Sequence, residues 1–183
     1  MNTFYKIILP FIIIVIGYSI FQQMDNSTKL KRVSCQNETI TFEKIFSIKE
    51  KENFSKAREL LQSNNYTLTS DIEYSKYMKS NLISLLNKDQ ADEQLKKLIS
   101  KYTLTNKISD EKININYYIY ENDKEDKAKK GNKSKLYAGY LVFEFKYKNE
   151  LLYKIQSDYM SIQAKDIQER MDCIIKSFLL IKK

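Results

Sequence analysis

The sequence predicts an α+β protein, in which an N-terminal transmembrane helix precedes one domain with an antiparallel β-meander packed against helices. Three observations predict this class. The first is an uncharged apolar window, Ile7–Met24. The second is an alternation of apolar and polar residues between Ile113 and Tyr159, which indicates strands. The third is a helical spacing of apolar residues over about Ala164–Ile181, which predicts a C-terminal amphipathic helix.

The apolar window contains 18 residues between Lys6 and Asp25. As a helix rising about 1.5 Å per residue it reaches about 27 Å, close to the hydrocarbon thickness of a bilayer. A cleaved signal peptide is the alternative, but its best cleavage site is Gly17–Ser19 and the apolar run continues beyond it. We therefore predict a signal-anchor over residues 1–24 and a single globular domain over residues 25–183.

The orientation of the anchor depends on two conflicting signals. Three membrane-proximal basic residues, Lys29, Lys31 and Arg32, follow the apolar window, whereas only Lys6 and the α-amine precede it. Counted literally, the positive-inside rule favours a cytoplasmic domain. The signal-like start and the cysteine usage favour export, and long domains translocate largely regardless of charge. We predict a single-pass inner-membrane protein whose C-terminal domain faces the periplasm, with the three basic residues near anionic lipid headgroups.

The first half of the domain mixes strand and helix signals. Leu30–Gln36 and Glu38–Ile48 are strand candidates, and in the second of them Ile40, Phe42, Phe46 and Ile48 share one parity. Asn53–Ser63 has the spacing of a short helix, and Asn65–Thr69 is extended. Ser70–Glu73 matches a capping box, which predicts a helix to about Asn87. Another helix is predicted from Asp89.

The last third of the chain alternates with a period of two. Three strands are predicted, around Ile113–Ile119, Tyr137–Tyr147 and Leu151–Tyr159, with a turn at Lys148–Glu150. Together they predict a tyrosine-rich antiparallel meander. In the final helix, one stripe carries Ile167, Met171, Ile174, Ile175 and Phe178, which should cover one face of the sheet.

The net charge of +8 is concentrated in part in one segment. Residues 123–135 hold six lysines and three acids with no large apolar residue, which predicts a mobile charged loop. The sequence has no arginine-rich run, aromatic–basic RNA motif or zinc-finger spacing, so we expect no nucleic-acid partner.

The two cysteines, Cys35 and Cys173, lie near opposite ends of the domain. Without histidine in the chain, two cysteines are too few for a typical metal site. A disulfide that ties the first predicted strand to the flank of the last helix is the favoured interpretation, and two unpaired thiols are the alternative.

The absence of histidine also excludes a Ser-His-Asp triad and a Cys-His pair. No P-loop, dinucleotide-binding fingerprint or EF-hand loop is present, so we predict no cofactor and identify no small-molecule ligand. Carboxylate chemistry needs only two acids, for which Glu144 and Asp158 are candidates. No catalytic constellation stands out, and we predict that the protein is not an enzyme.

These observations predict a membrane-anchored envelope protein with a binding or accessory domain, whose partners are the membrane and another protein. One specific version is an immunity-type inhibitor of a toxin. The alternatives are a tethered component of an envelope assembly or secretion machine and, as a minority hypothesis, a carboxylate-dependent hydrolase.

Overall fold

The computed structural model describes residues 31–46, 51–128 and 136–181 of the chain. The chain divides into two units, Met1–Arg32 and Val33–Lys183, and every described helix and strand belongs to the second. None of the described helices is long and apolar enough to cross a bilayer. The transmembrane helix predicted within residues 1–24 lies outside the described residues and stays a prediction.

The described part of the second unit is an α+β domain with a mixed five-stranded sheet and three α-helices. The strands occur in the spatial order β1-β5-β4-β3-β2, and only the β2–β3 pair is parallel. In chain order the elements are β1 (Thr41–Ile45), α1 (Lys51–Gln62), β2 (Tyr66–Glu73), α2 (Lys88–Ser100), β3 (Ile113–Glu121), β4 (Gly139–Tyr147), β5 (Glu150–Tyr159) and α3 (Ile167–Leu179).

The predicted meander is confirmed by β3, β4 and β5, which pair antiparallel in sequence order. Lys148 and Asn149 join β4 to β5, with φ of 50° and 65°. Positive φ at both central residues is typical of the type I′ turn, whose twist matches that of the two strands. The hairpin therefore forms where the sequence predicts it.

The helices cover one face of the sheet and share a single hydrophobic core with it. The predicted stripe of α3 is buried, and its Phe178 ring stacks on Phe145 of β4 with 4.3 Å between ring centroids. α1 ends where Asn64 takes φ of 61°, and the Asn65 amide donates to the Leu60 carbonyl at 2.8 Å. This left-handed cap ends the helix and turns the chain into β2.

The helix predicted from Ser70 to Asn87 is wrong. Residues 66–73 form β2, which pairs with β3 in parallel, and only Leu82–Ser84 form a turn of 3₁₀-helix. Strand pairing at the sheet edge outweighs the local capping-box pattern, because helical propensity is weak compared with tertiary context. The helix predicted from Asp89 is present as α2, whose start is capped by Asn87.

The strand predicted at Leu30–Gln36 is also wrong where the structure describes it, because Ser34–Asn37 form a 3₁₀ turn. Gln36 explains the turn: its fully buried amide donates to the Glu43 carboxylate and to the Ser177 hydroxyl, at 2.9 Å each. These two bonds connect the turn to β1 and to α3.

The predicted strand Glu38–Ile48 is shorter than expected, and β1 occupies its centre. The side chains that share one parity, those of Ile40, Phe42 and Phe46, face away from the helices, and Phe42 is 63% exposed. Ile48 lies outside the described residues.

A close cross-strand approach requires glycine at the start of β4. Gly139 pairs with Tyr159 of β5, and a Cβ at this position would collide with the Tyr159 ring and with the Tyr120 carbonyl oxygen. The ring thus occupies the space above the glycine, an arrangement that stabilises glycine within a strand.

The predicted charged loop at 123–135 begins later than expected, because Asp123 is only 4% exposed. Its carboxylate accepts hydrogen bonds from the backbone amides of Lys76, Tyr77 and Met78. Residues 129–135 lie outside the described part, so the predicted mobility there stays a prediction.

Candidate functional site on the open face of the sheet

The face of the sheet opposite the helices, called the open face, carries no covering helix among the described elements. Strand register arranges its side chains in rows that cross all five strands. From β2 to β1, one row is Asp71, Tyr118, Val142, Gln156 and Phe42. The row toward the C-terminal end of β2 is Glu73, Tyr120, Tyr140 and Asp158, and Ile40 continues it just before β1.

A groove of about 450 Å³ lies on the β2 side of this face. Its volume falls in the range of small-molecule and side-chain binding sites. We call it the tyrosine groove. The side chains that line it from the open face are Thr69, Asp71, Glu73, Asn116, Tyr118, Tyr140, Val142 and Glu144.

Three tyrosines form the aromatic part of this face. The Tyr140 ring stacks on Tyr120 at 4.7 Å between centroids and meets Tyr118 edge-on at 6.1 Å. Burial, the neighbouring Tyr118 and Tyr120, and the negative charge of Glu73 raise the pKa of Tyr140 to about 12. Tyr140 therefore stays neutral at physiological pH and acts as a stacking and hydrogen-bonding group.

The two carboxylates considered for catalysis lie in different environments. Glu144 accepts Lys146 Nζ at 2.7 Å and Lys154 Nζ at 2.8 Å, and these hydrogen bonds lower the pKa of the carboxyl group. Burial raises the pKa of Asp158, which receives one bond from Gln156 Nε2 at 3.3 Å.

The sheet does not bring these two carboxylates together. Glu144 is opposite Lys154 in the register, and Asp158 lies four residues further along β5, about 13 Å along a strand. Paired glycosidase carboxylates lie about 5–10 Å apart. No described group of acids or cysteines forms a metal-binding cluster either.

The β1 side of the open face is apolar and basic. Ile40, Phe42 and Phe46 project there, and Lys44 Nζ lies 4.8 Å from the centroid of the Phe46 ring. Contiguous exposed apolar side chains on an edge strand are typical of interaction surfaces. The open face thus changes from acidic and aromatic at β2 to apolar and basic at β1.

A buried carboxylate holds the loop that follows β2, the strand that carries Asp71 and Glu73. Glu121, at the end of β3, accepts hydrogen bonds from the Ser75 and Ser80 hydroxyls and from the backbone amides of Ser75, Asn81 and Leu82. Burial alone raises the pKa of Glu121, but these hydrogen bonds outweigh it and hold the pKa below its usual value.

The disulfide between Cys35 and Cys173 is present, with 5.9 Å between the two Cα atoms. Cys35 lies in the 3₁₀ turn rather than in a strand, and Cys173 is buried in α3.

Of the predicted membrane-proximal basic residues, Lys31 and Arg32 are exposed, and Lys29 lies outside the described residues. Their proposed contact with lipid stays a prediction.

A second cleft, of about 540 Å³, lies at the opposite end of the sheet between α1 and the β4–β5 turn. Its charged side chains pair with each other: Lys148 contacts Glu111 at 3.2 Å and Lys56 contacts Glu59 at 3.5 Å. This internal pairing leaves less uncompensated charge for a ligand than the tyrosine groove does.

The sequence did not reveal the groove or the Glu121 contacts. β2 was hidden by its capping-box pattern, so the acids Asp71 and Glu73 were expected on a helix. Leu68, Ser70 and Ile72 share one parity of this segment, and that period of two was the available signal for a strand.

Fold and site together define an α+β domain with one helix-covered face and one open, tyrosine-lined face. No protein-family model matches the chain, and neither curated proteins nor solved structures give a significant match.

Proposed function

We propose that this chain is a membrane-anchored envelope protein whose exported domain binds another protein through the open face of its sheet, without catalysing a reaction. The observation that carries the binding role is the open face itself, where exposed Phe42 and the tyrosine groove lie on one continuous surface. Binding surfaces commonly combine aromatic anchors with polar groups that fix orientation.

Export is supported by the disulfide, because such bonds persist in the periplasm and are rare in the reducing cytosol. Anchoring is supported by the length and apolarity of the window Ile7–Met24. The domain then stays at the membrane surface, where a tethered partner is met at high local concentration.

The topology has a direct test. We expect full-length protein to remain in the membrane fraction after carbonate washing, and protease added to spheroplasts to digest the domain. A cytoplasmic marker protein, which must stay intact, controls for lysis. Protection of the domain in intact spheroplasts would show that Lys29, Lys31 and Arg32 keep it in the cytoplasm.

An immunity-type inhibitor is the specific version that we favour. Deleting the gene is then expected to harm cells only when a neighbouring toxin gene is intact, and the Phe42→Ser variant should fail to restore protection because it removes an aromatic anchor. The matched control is Leu104→Ser, which also removes an exposed apolar side chain but lies outside the strands. Loss of envelope integrity without any toxin would instead indicate a component of an envelope assembly.

A further inference from the structure

Two of the three acids that line the tyrosine groove, Asp71 and Glu73, carry negative charge that the domain leaves largely uncompensated, whereas the third, Glu144, is paired with Lys146 and Lys154. Asp71 and Glu73 lie on the same face of β2, two residues apart, so their Cα atoms are about 7 Å from each other. The nearest cation in an ion pair with Glu73 is Lys76 at 3.8 Å, and both side chains are mostly exposed, where such a pair contributes little. In the described part of the chain, no lysine or arginine lines the groove.

Aromatic surface lies beside these carboxylates. Tyr118 is the cross-strand partner of Asp71, and Tyr120 is the partner of Glu73. The Tyr118 side chain is 37% exposed, so part of its ring is available to a ligand. A cation over a tyrosine ring is attracted by the quadrupole of that ring, and a carboxylate at the rim adds a charge-assisted hydrogen bond.

The charge of the groove contrasts with the rest of the molecule. The whole chain carries +8, and the open face also presents Lys44 of β1, Lys146 of β4 and Lys154 of β5, of which the last two pair with Glu144 at the edge of the groove away from β2. A basic ligand is therefore repelled from the part of the face that carries these lysines and attracted to Asp71 and Glu73 on β2. This gradient selects both the sign of the ligand's charge and its position on the sheet.

We propose that the tyrosine groove receives a lysine or arginine side chain from an extended segment of the protein partner, held by Asp71 and Glu73 and packed against Tyr118. This inference rests on the proposed function and names the chemistry of the partner. Arginine suits the groove best, because its planar guanidinium both stacks on aromatic faces and donates to two carboxylates. Phe42, at the far end of the Asp71 row, provides the apolar contact for the same partner.

The chain contains a convenient reporter for this binding. It has three valines, of which Val142 lines the groove, and Val33, the other valine among the described residues, does not. Full-length protein with labelled valine methyl groups, held in detergent micelles, therefore gives a simple spectrum. We would titrate it with the peptide acetyl-Thr-Arg-Thr-amide and with the same peptide carrying citrulline, which has the shape of arginine without its charge.

We expect the arginine peptide to shift the Val142 signals saturably and the citrulline peptide to bind at least about tenfold more weakly. The double variant Asp71→Asn, Glu73→Gln should weaken the arginine peptide about tenfold, and Tyr118→Leu about threefold. The matched control is Glu52→Gln, Glu59→Gln, which removes two acids from the cleft at the opposite end. That control should leave binding within about twofold of the unmodified protein.

Equal binding of the two peptides, an unshifted Val142, or an unaffected Asp71→Asn, Glu73→Gln variant would overturn the inference. These results leave the proposed function separately testable. If Phe42→Ser abolishes the cellular phenotype while Asp71→Asn, Glu73→Gln preserves it, the open face binds a partner but the groove does not take its basic side chain. If neither variant changes the phenotype, the proposed role of the open face in binding a partner is wrong as well.

Discussion

Replacing Cys35 by serine is expected to lower the free energy of unfolding by about 2–4 kcal/mol, and replacing Cys173 should have the same effect. The bond joins residues 138 positions apart, so its removal restores much conformational freedom to the unfolded chain. The measurement is denaturant unfolding of the full-length protein in micelles, followed by the circular dichroism of the domain.

The double replacement of Cys35 and Cys173 provides the control, because both residues act through one bond. The double replacement should lower the free energy of unfolding little more than either single replacement does. A reducing agent should destabilise the unmodified protein but none of these variants. If the two single losses simply add, the cysteines contribute separately and the bond is not what stabilises the domain.

Glu121→Ala is expected to destabilise the domain by about 3 kcal/mol. The change leaves the buried amide of Leu82 and the partly buried Asn81 amide and Ser80 hydroxyl without their acceptor, and each buried unsatisfied group costs roughly 1–3 kcal/mol. The same unfolding measurement applies. The control is Glu125→Gln, a nearby exposed acid, which should change stability by less than about 0.5 kcal/mol.

Glu121 also gives stability a dependence on pH. Its pKa in the folded state is lowered below the ordinary value of a glutamate, so the unfolded state binds protons first as the pH falls. The stability that Glu121 contributes is therefore present above about pH 4.5 and is lost as the pH falls through the folded-state pKa. Glu121→Gln should reduce the loss of stability between pH 6 and pH 3. An unchanged pH profile in this variant would contradict the assignment.

The regular period of the last third of the chain made the meander and α3 predictable. Along Ile113–Ile119 apolar side chains alternate with polar ones, and the stripe of α3 repeats every three to four residues, so both elements follow from one-dimensional patterns. The disulfide was predictable too, because the chain has only two cysteines and the predicted export favours their pairing.

The site could not be predicted, since it depends on contacts between distant residues. β2 pairs with β3 across 47 positions, as between Tyr66 and Ile113, and its sequence alone fits a helix start. Glu121 binds amides about 40 residues away, which no local pattern encodes. The sequence also left open which face of β1 is exposed. Both faces of this edge strand carry apolar residues, and only the position of the helices decides which of them is buried.

The cross-link between Cys35 and Cys173 also determines how the domain responds to mechanical force. Tension applied between the two ends of the chain enters at Cys35, crosses the sulfur bridge and leaves at Cys173, so the sheet, α1, α2 and the first half of α3 bear no load. About 138 residues, on the order of 470 Å of extended chain, are thereby withheld from stretching. Oxidised, the domain is a short and nearly inextensible link; reduced, the same chain can lengthen many-fold under tension.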